Sequence, residues 1–220
     1  MVRWQLLQIA DSAFPTGGFA HSGGLEAAVH HGCARTAEEL GTYVGGHLWN
    51  VGWASLPFVT AAFESPGDVW ALDAWNDAAM TNHVANRASR TQGRAFLATC
   101  ARIFDEPPLA AMAARARARD VSAHLAPVFG ASLASLGAVR RETQVLYLYI
   151  ALRGVTSAAV RLGLVGPHEA QRLQRCHGRT LDAVLDACAS LTPDEAATAF
   201  PLLDVMGATH DRLYARLFQS

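Results

Sequence analysis

From Glu142 to Leu164 the apolar residues Val145, Leu148, Leu152, Val155, Ala159 and Leu162 recur at steps of three and four. That repeat puts them on one face of an α-helix, whereas a strand would scatter them over two. No stretch sustains a period-two alternation, and no Asn-Gly or Asp-Gly turn joins β-rich runs. Helix is therefore the material from which this chain is built. The expectation is an all-α, single-domain bundle of about ten helices spanning residues 1–220.

Local signals divide the chain. Thr36-Ala-Glu-Glu39 reads as a capping box, with Leu40, Tyr43, Val44, His47, Leu48 and Val51 along one face behind it. Gly32 is a stop, and Gly41 and Gly45 lie one turn apart, which invites close approach of another backbone. Trp53 to Phe63 continues the helix to Ser65-Pro66-Gly67. Asp68 is placed to cap the next helix, anchored by Trp70, Leu72 and Trp75. Asn82 to Phe104 is long, with Arg87, Arg90 and Arg94 on one stripe and Phe96, Leu97, Cys100 and Ile103 on another. Leu109 to Arg119, a helix opening at Leu125, one from Pro167 through Ala189, and one starting at Thr192-Pro-Asp-Glu195 follow. Phe200-Pro201 reads as a break, and Ala208 to Phe218 as a closing amphipathic helix. Trp4 to Ala10 fits helix or strand equally.

Composition narrows the function classes. The 18 strongly basic residues are all arginine. The absence of lysine excludes a GKS/GKT phosphate loop and lysine-based chemistry. A net charge of −1 offers no general attraction to nucleic acid or anionic lipid. No run approaches the roughly 18 apolar residues of a membrane span, and Met1 to Gln5 has no signal-peptide character, so the cytosol is the expected address. The four cysteines form no CxxC pair, which argues for buried thiols over zinc or disulfides. The nine histidines form no HxH or HxxxH pattern, so no metal site is assigned.

Two segments stand apart. Asp11 to Glu26, DSAFPTGGFAHSGGLE, concentrates turn formers ahead of a helix. Pro15 presets its own φ, Gly17 and Gly18 permit a tight reversal, and Asp11 and Ser12 fold back onto backbone N–H groups. Ser22 occupies the N-cap position and Glu26 the first turn, with Phe14, Phe19 and His21 as side chains for display. A hydrolase using Asp11, Ser12 or Ser22, and His21 is an alternative reading, although no GxSxG elbow is present. A nickel-storing protein is another. The second segment, residues 208–220, closes with Tyr214, Arg216, Leu217 and Phe218. Burial of each apolar side chain contributes roughly 1.5–3 kcal/mol, enough to dock this tail on its own body or on a partner.

The Asp11–Glu26 stretch, preceded by Leu6-Leu7-Gln8-Ile9-Ala10, resembles the N-terminal signature of the UreF-type urease accessory proteins over sixteen consecutive positions. Arg90-Thr-Gln-Gly-Arg94, His124-Leu-Ala-Pro-Val-Phe-Gly130, Ala159-Val-Arg-Leu-Gly163 and Arg216-Leu-Phe-Gln-Ser220 are similar to further patterns of that family, in the same order. Phe19-Ala20 and Gln219 depart from its commonest residues. The resemblance implies a non-catalytic helical scaffold, usually dimeric. Such a scaffold binds the accessory protein UreD (UreH) and the GTPase UreG, so that nickel reaches the urease apoprotein at the expense of GTP. No cofactor is implied for this chain itself, nickel being handled by the complex, and neither nucleic acid nor membrane is an implied partner. The implied partner-binding residues are Pro15, Thr16, Gly17, Gly18, Phe19, His21, Ser22, Leu25 and Glu26 of the loop, with Tyr214, Arg216, Leu217, Phe218 and Ser220 of the tail. In this reading Arg216 braces the loop around Phe19.

Overall fold

A computed structural model of the protein describes residues 4–118 and 120–220. The described residues form helices and no strand, with α1 (Trp4–Ala10), α2 (Leu25–His30), α3 (Ala37–Asn50), α4 (Leu56–Glu64), α5 (Val69–Ala79) and α6 (His83–Ile103) in the first half. The second half holds α7 (Pro107–Ala118), α8 (Leu125–Ser135), α9 (Arg140–Arg161), α10 (Pro167–Cys176), α11 (Gly178–Cys188) and α12 (Pro201–Ala208). The all-α expectation holds, and the ambiguous first segment is helical.

The core is built around α8, which is apolar on every side. Ala126 through Leu133 are all buried, with α4, α5, α6, α7 and α9 packed around them. Two glycines make this possible. A Cβ on Gly130 would lie 2.1 Å from the Val59 carbonyl oxygen of α4, and one on Gly93 would lie 2.1 Å from the Ala123 carbonyl oxygen. Ala123 itself has φ 57°, a left-handed conformation that an alanine resists. Asp73, buried on α5, holds it there by accepting from the N–H groups of Ala123 (2.8 Å) and His124 (2.7 Å). The fully buried residues of α5 are Val69, Asp73 and Asn76; of the expected anchors, Trp70 and Leu72 pack half-buried against the core, while Trp75 is exposed and meets Phe58 edge-on.

Two expected helix-end signals hold: Thr36 and Glu39 make the capping box, and Gly32 takes a positive φ of 80°. Asn82, not singled out in the sequence, caps α6 through Val84 and Ala85. Other expected signals do not hold. Asp68 makes no side-chain cap, and Gly41 meets nothing within 4 Å, so the close approaches fall at Gly52, Gly93 and Gly130 instead. On α9 it is Leu146 that turns inward and Val145, 46% exposed, that turns out. On α6 Ile103 is exposed and Phe104 buried. Only Cys100 and Cys188 are buried thiols, and burial raises both pKa values, to about 12 and about 11.

Val51–Ser55, between α3 and α4, is a turn of π-helix. Pro57 has no N–H to return to Trp53, four residues back, and the helix widens to accommodate the loss. The freed Trp53 carbonyl accepts from Ala197 N–H (3.2 Å). The expected helix from Pro167 to Ala189 is broken at His177, giving α10 and α11. Thr192 and Glu195 do make a capping box, but it closes only a three-residue 3-10 turn, and Pro201 starts a helix where a break was expected. Beyond α12 the chain makes a 3-10 turn at His210–Arg212 and then runs irregularly, so the expected Ala208–Phe218 helix does not form.

Candidate functional site: a loop and a tail zipped together

The Asp11–Glu26 loop is pinned from inside. Phe14, expected on display, is buried against Phe96 and Phe104, with ring centroids 6.3 Å from each. Asp11 Oδ1 accepts from Ala13 N–H (2.7 Å), and Thr99 of α6 donates to the Pro15 carbonyl (2.7 Å). Thr16 Oγ1 accepts from Gly18 N–H. Gly17, Gly23 and Gly24 take positive φ, while Gly18 does not. Gly24 is the N-cap of α2, so Ser22 is not. Pro15 and Phe19 face solvent, Phe19 with 71% of its surface open.

Opposite the loop lies the Leu213–Ser220 tail. From Leu217 to Ser220 its residues alternate exposed and buried, with Phe218 and Ser220 inward. The buried Glu26 carboxylate is its main anchor. Oε1 accepts from Leu217 N–H (2.6 Å), and Oε2 from Phe218 N–H (3.1 Å) and His210 Nε2 (2.8 Å). Ser22 donates both its N–H (2.6 Å) and its hydroxyl (2.9 Å) to the Ser220 carbonyl, and Gln219 N–H donates to the Ala20 carbonyl (2.8 Å). Nδ1 of His21 is hydrogen-bonded to Ser220 Oγ at 2.6 Å. Burial, then the nearby charges of Arg87 and His210, lower the His21 pKa, so its ring is held neutral.

Of the residues expected at the recognition surface, His21, Ser22, Leu25 and Glu26 are therefore buried. Leu25 is core, and the other three are the dock for the tail. Phe218 and Ser220 are buried with them, while Tyr214, Arg216 and Leu217 are exposed. Arg216 does not brace the loop: it pairs with Asp211 at 3.3 Å. The brace is Arg161, at the end of α9. Its guanidinium stands 3.7 Å from the Phe19 ring centroid and 4.2 Å from that of Phe218, and donates to the Phe19 carbonyl. A cation between two aromatic faces joins loop and tail in one contact. Arg161 lies within the family-like Ala159–Gly163 pattern, but nothing in its local spacing points to a partner 142 positions away.

Beneath the zipper is a cavity of 550 Å³, walled by the loop and by Tyr43, His47, Asn76, Tyr147 and Arg153. Tyr43 donates to the Gly23 carbonyl and its ring is parallel to that of His47. Desolvation pushes the His47 pKa down to about 4. His47 lines the cavity, and its burial keeps the ring neutral near pH 7. Asp11, Ser12 and His21 do not form a nucleophile–base–orienter set: the ring of His21 turns to Ser220, and the Asp11 carboxylate to its own turn. No group of three or more His, Cys, Asp or Glu side chains that could hold a metal ion occurs among the described residues. No described helix is long and apolar enough to cross a membrane.

What the geometry defines is a helical body that holds an exposed aromatic and a docked tail side by side. The UreF family model matches residues 34–176. Urease accessory protein F of Arabidopsis thaliana is 39% identical over 100% of this chain and 93% of its own length. Its counterpart in Oryza sativa subsp. japonica is 37% identical over 98% and 84%. Urease accessory protein UreF of Paenarthrobacter aurescens is 31% identical over 98% and 96%. The chain belongs to the UreF family of urease accessory proteins, and its general role lies in urease maturation. The family model leaves out both the loop and the tail, which only the full-length relatives span.

Proposed function

We propose that this chain is a non-catalytic scaffold of urease maturation that works through the zippered surface. UreD (UreH) takes hold of the exposed side of the tail, at Tyr214, Arg216 and Leu217, and UreG docks on the loop around Phe19. Nickel is cargo of that assembly, delivered to the urease apoprotein as UreG hydrolyses GTP, and this chain carries no cofactor of its own. It acts as a homodimer in the cytoplasm. The observation that supports this reading best is the Arg161 sandwich, because whatever moves Phe218 also moves the ring of Phe19.

Co-purification with UreD and UreG tests the reading. Phe19→Ala is expected to leave UreD binding intact and to weaken UreG recruitment by about 1 kcal/mol or more, as loss of an aromatic anchor does. Arg161→Ala is expected to act in the same direction, and a chain ending at Arg212 to lose both partners. Undiminished binding of both by the shortened chain ends the idea.

A further inference from the structure

On the outer face of α6 lies an open groove of 590 Å³, beside the tail, to which Asp211 links it through Arg87 and Arg216. Its floor and rims are Thr81, His83, Asn86, Arg87, Arg90 and Thr91, with Arg94 at the far end. Helical rise sets the three arginines about 4.5 and 6 Å apart along the axis, on one stripe. Their commitments differ. Arg87 forks onto Asp211, with Nη1 and Nη2 at 3.0 and 2.7 Å from the two carboxylate oxygens. Arg94 reaches inward and donates to the Val121 carbonyl. Arg90, in the middle and half-buried, has no hydrogen-bond or ion-pair partner among the described residues.

Carboxylates near this stripe are already engaged. Asp211 is shared by Arg87, Arg216 and, at 3.4 Å, His83, and the hydrogen bonds from Arg87 above all hold its pKa below the usual carboxylate range. Asp77, beyond Asn86, accepts from Asn86 Nδ2 (2.9 Å) and pairs with His124 (2.8 Å). Among the described residues Asp211 is the carboxylate that Arg87 and Arg216 share, and Arg90 has none, on a protein whose overall charge is −1. A half-desolvated guanidinium without a counter-charge is costly, and threonine and asparagine beside it supply neutral donors.

We propose that this groove docks an acidic segment of a protein partner, with a carboxylate on Arg90 and its neighbours reaching the ends of the stripe. Carboxylates on one face of a helix, three or four positions apart, or at alternate positions of an extended chain, have about the right spacing. Guanidinium forks pair with such groups in parallel hydrogen bonds. The surface lies beyond the loop-and-tail reading and needs neither element to be occupied.

The test is fluorescence anisotropy of the full chain with a fluorescein-labelled peptide alternating Glu and Gly, against its Gln counterpart. The acidic peptide alone is expected to bind, more weakly as NaCl rises from about 50 to about 300 mM. Arg90→Glu is expected to weaken binding about tenfold or more. Arg172→Glu, the same charge change on α10, is expected to have no such effect. Arg90→Gln serves as the second variant if the reversal prevents folding, and is expected to weaken binding as well. Equal binding by the Arg90 variants and the unmodified chain overturns the proposal, as does failure of the acidic peptide to bind. So does displacement by inorganic phosphate at equal concentration, which marks a small-anion site. No urease component is present in the assay, so its outcome is independent of the co-purification experiment.

Discussion

Glu26→Gln is the sharpest perturbation of the zipper, because it changes one atom of a buried acceptor. The carboxylate takes three donors: Leu217 N–H on Oε1, Phe218 N–H and His210 Nε2 on Oε2. In the amide, the carbonyl oxygen can keep the pair on the second position. The NH2 then faces Leu217 N–H across 2.6 Å, donor against donor. A hydrogen bond to a charged acceptor is worth about 1.5–3 kcal/mol net, and the apposed donors add to its loss. The tail should therefore open more easily by about 2–3 kcal/mol, without release of the core. Amide hydrogen exchange reads this directly. Protection of Leu217, Phe218 and Gln219, and of Ser22 whose N–H is bonded to Ser220, should fall by about 30- to 160-fold. Amides of α8 should keep theirs. Unchanged exchange at Leu217 and Phe218 would refute the claim that Glu26 holds the tail, and an equal rise across α8 would mean that zipper and core are one cooperative unit.

Two further outcomes follow from the interior. The His47 ring titrates at about 4 in the fold, against 6.5 without burial, so between those values the unfolded chain binds a proton that the folded one refuses. Stability should fall as pH drops from about 6.5 to 4, by up to about 3 kcal/mol, and His47→Phe should flatten that slope in denaturant titrations. Gly130→Ala would put a methyl group 2.1 Å from the Val59 carbonyl oxygen in the tightest helix crossing. A loss of about 3 kcal/mol or more in thermal or denaturant unfolding is expected, since neither backbone can yield.

The parts of the fold legible in the sequence are those set by neighbours. Thr36 with Glu39 and Gly32 after α2 act within four residues, and their chemistry shows in a short window. The long helices were legible from periodicity, although a single-residue offset such as Val145 for Leu146 was not, because both are apolar. The tail was misread as helix because its Leu and Phe spacing fits either form, and its conformation is imposed by Glu26, more than 190 positions earlier. The same reason hid Arg161 and gave Arg216 its expected role: both are arginines near the right motifs, and only the fold decides which one stands between Phe19 and Phe218. Phe14 was legible as special, but its direction was not.

The bond from Ala197 to the Trp53 carbonyl gives the connection between α11 and α12 a fixed register. A proline elsewhere in the chain leaves one oxygen vacant, and a connection whose own regular structure is one short 3-10 turn is fastened there. Insertion or deletion between positions 189 and 197 would slide the loop off that oxygen, and with it the start of α12, whose Gly207 packs beside Gly24 at the root of the Asp11–Glu26 loop. A length change far from Phe19 in sequence would thus be felt at the loop that carries Phe19.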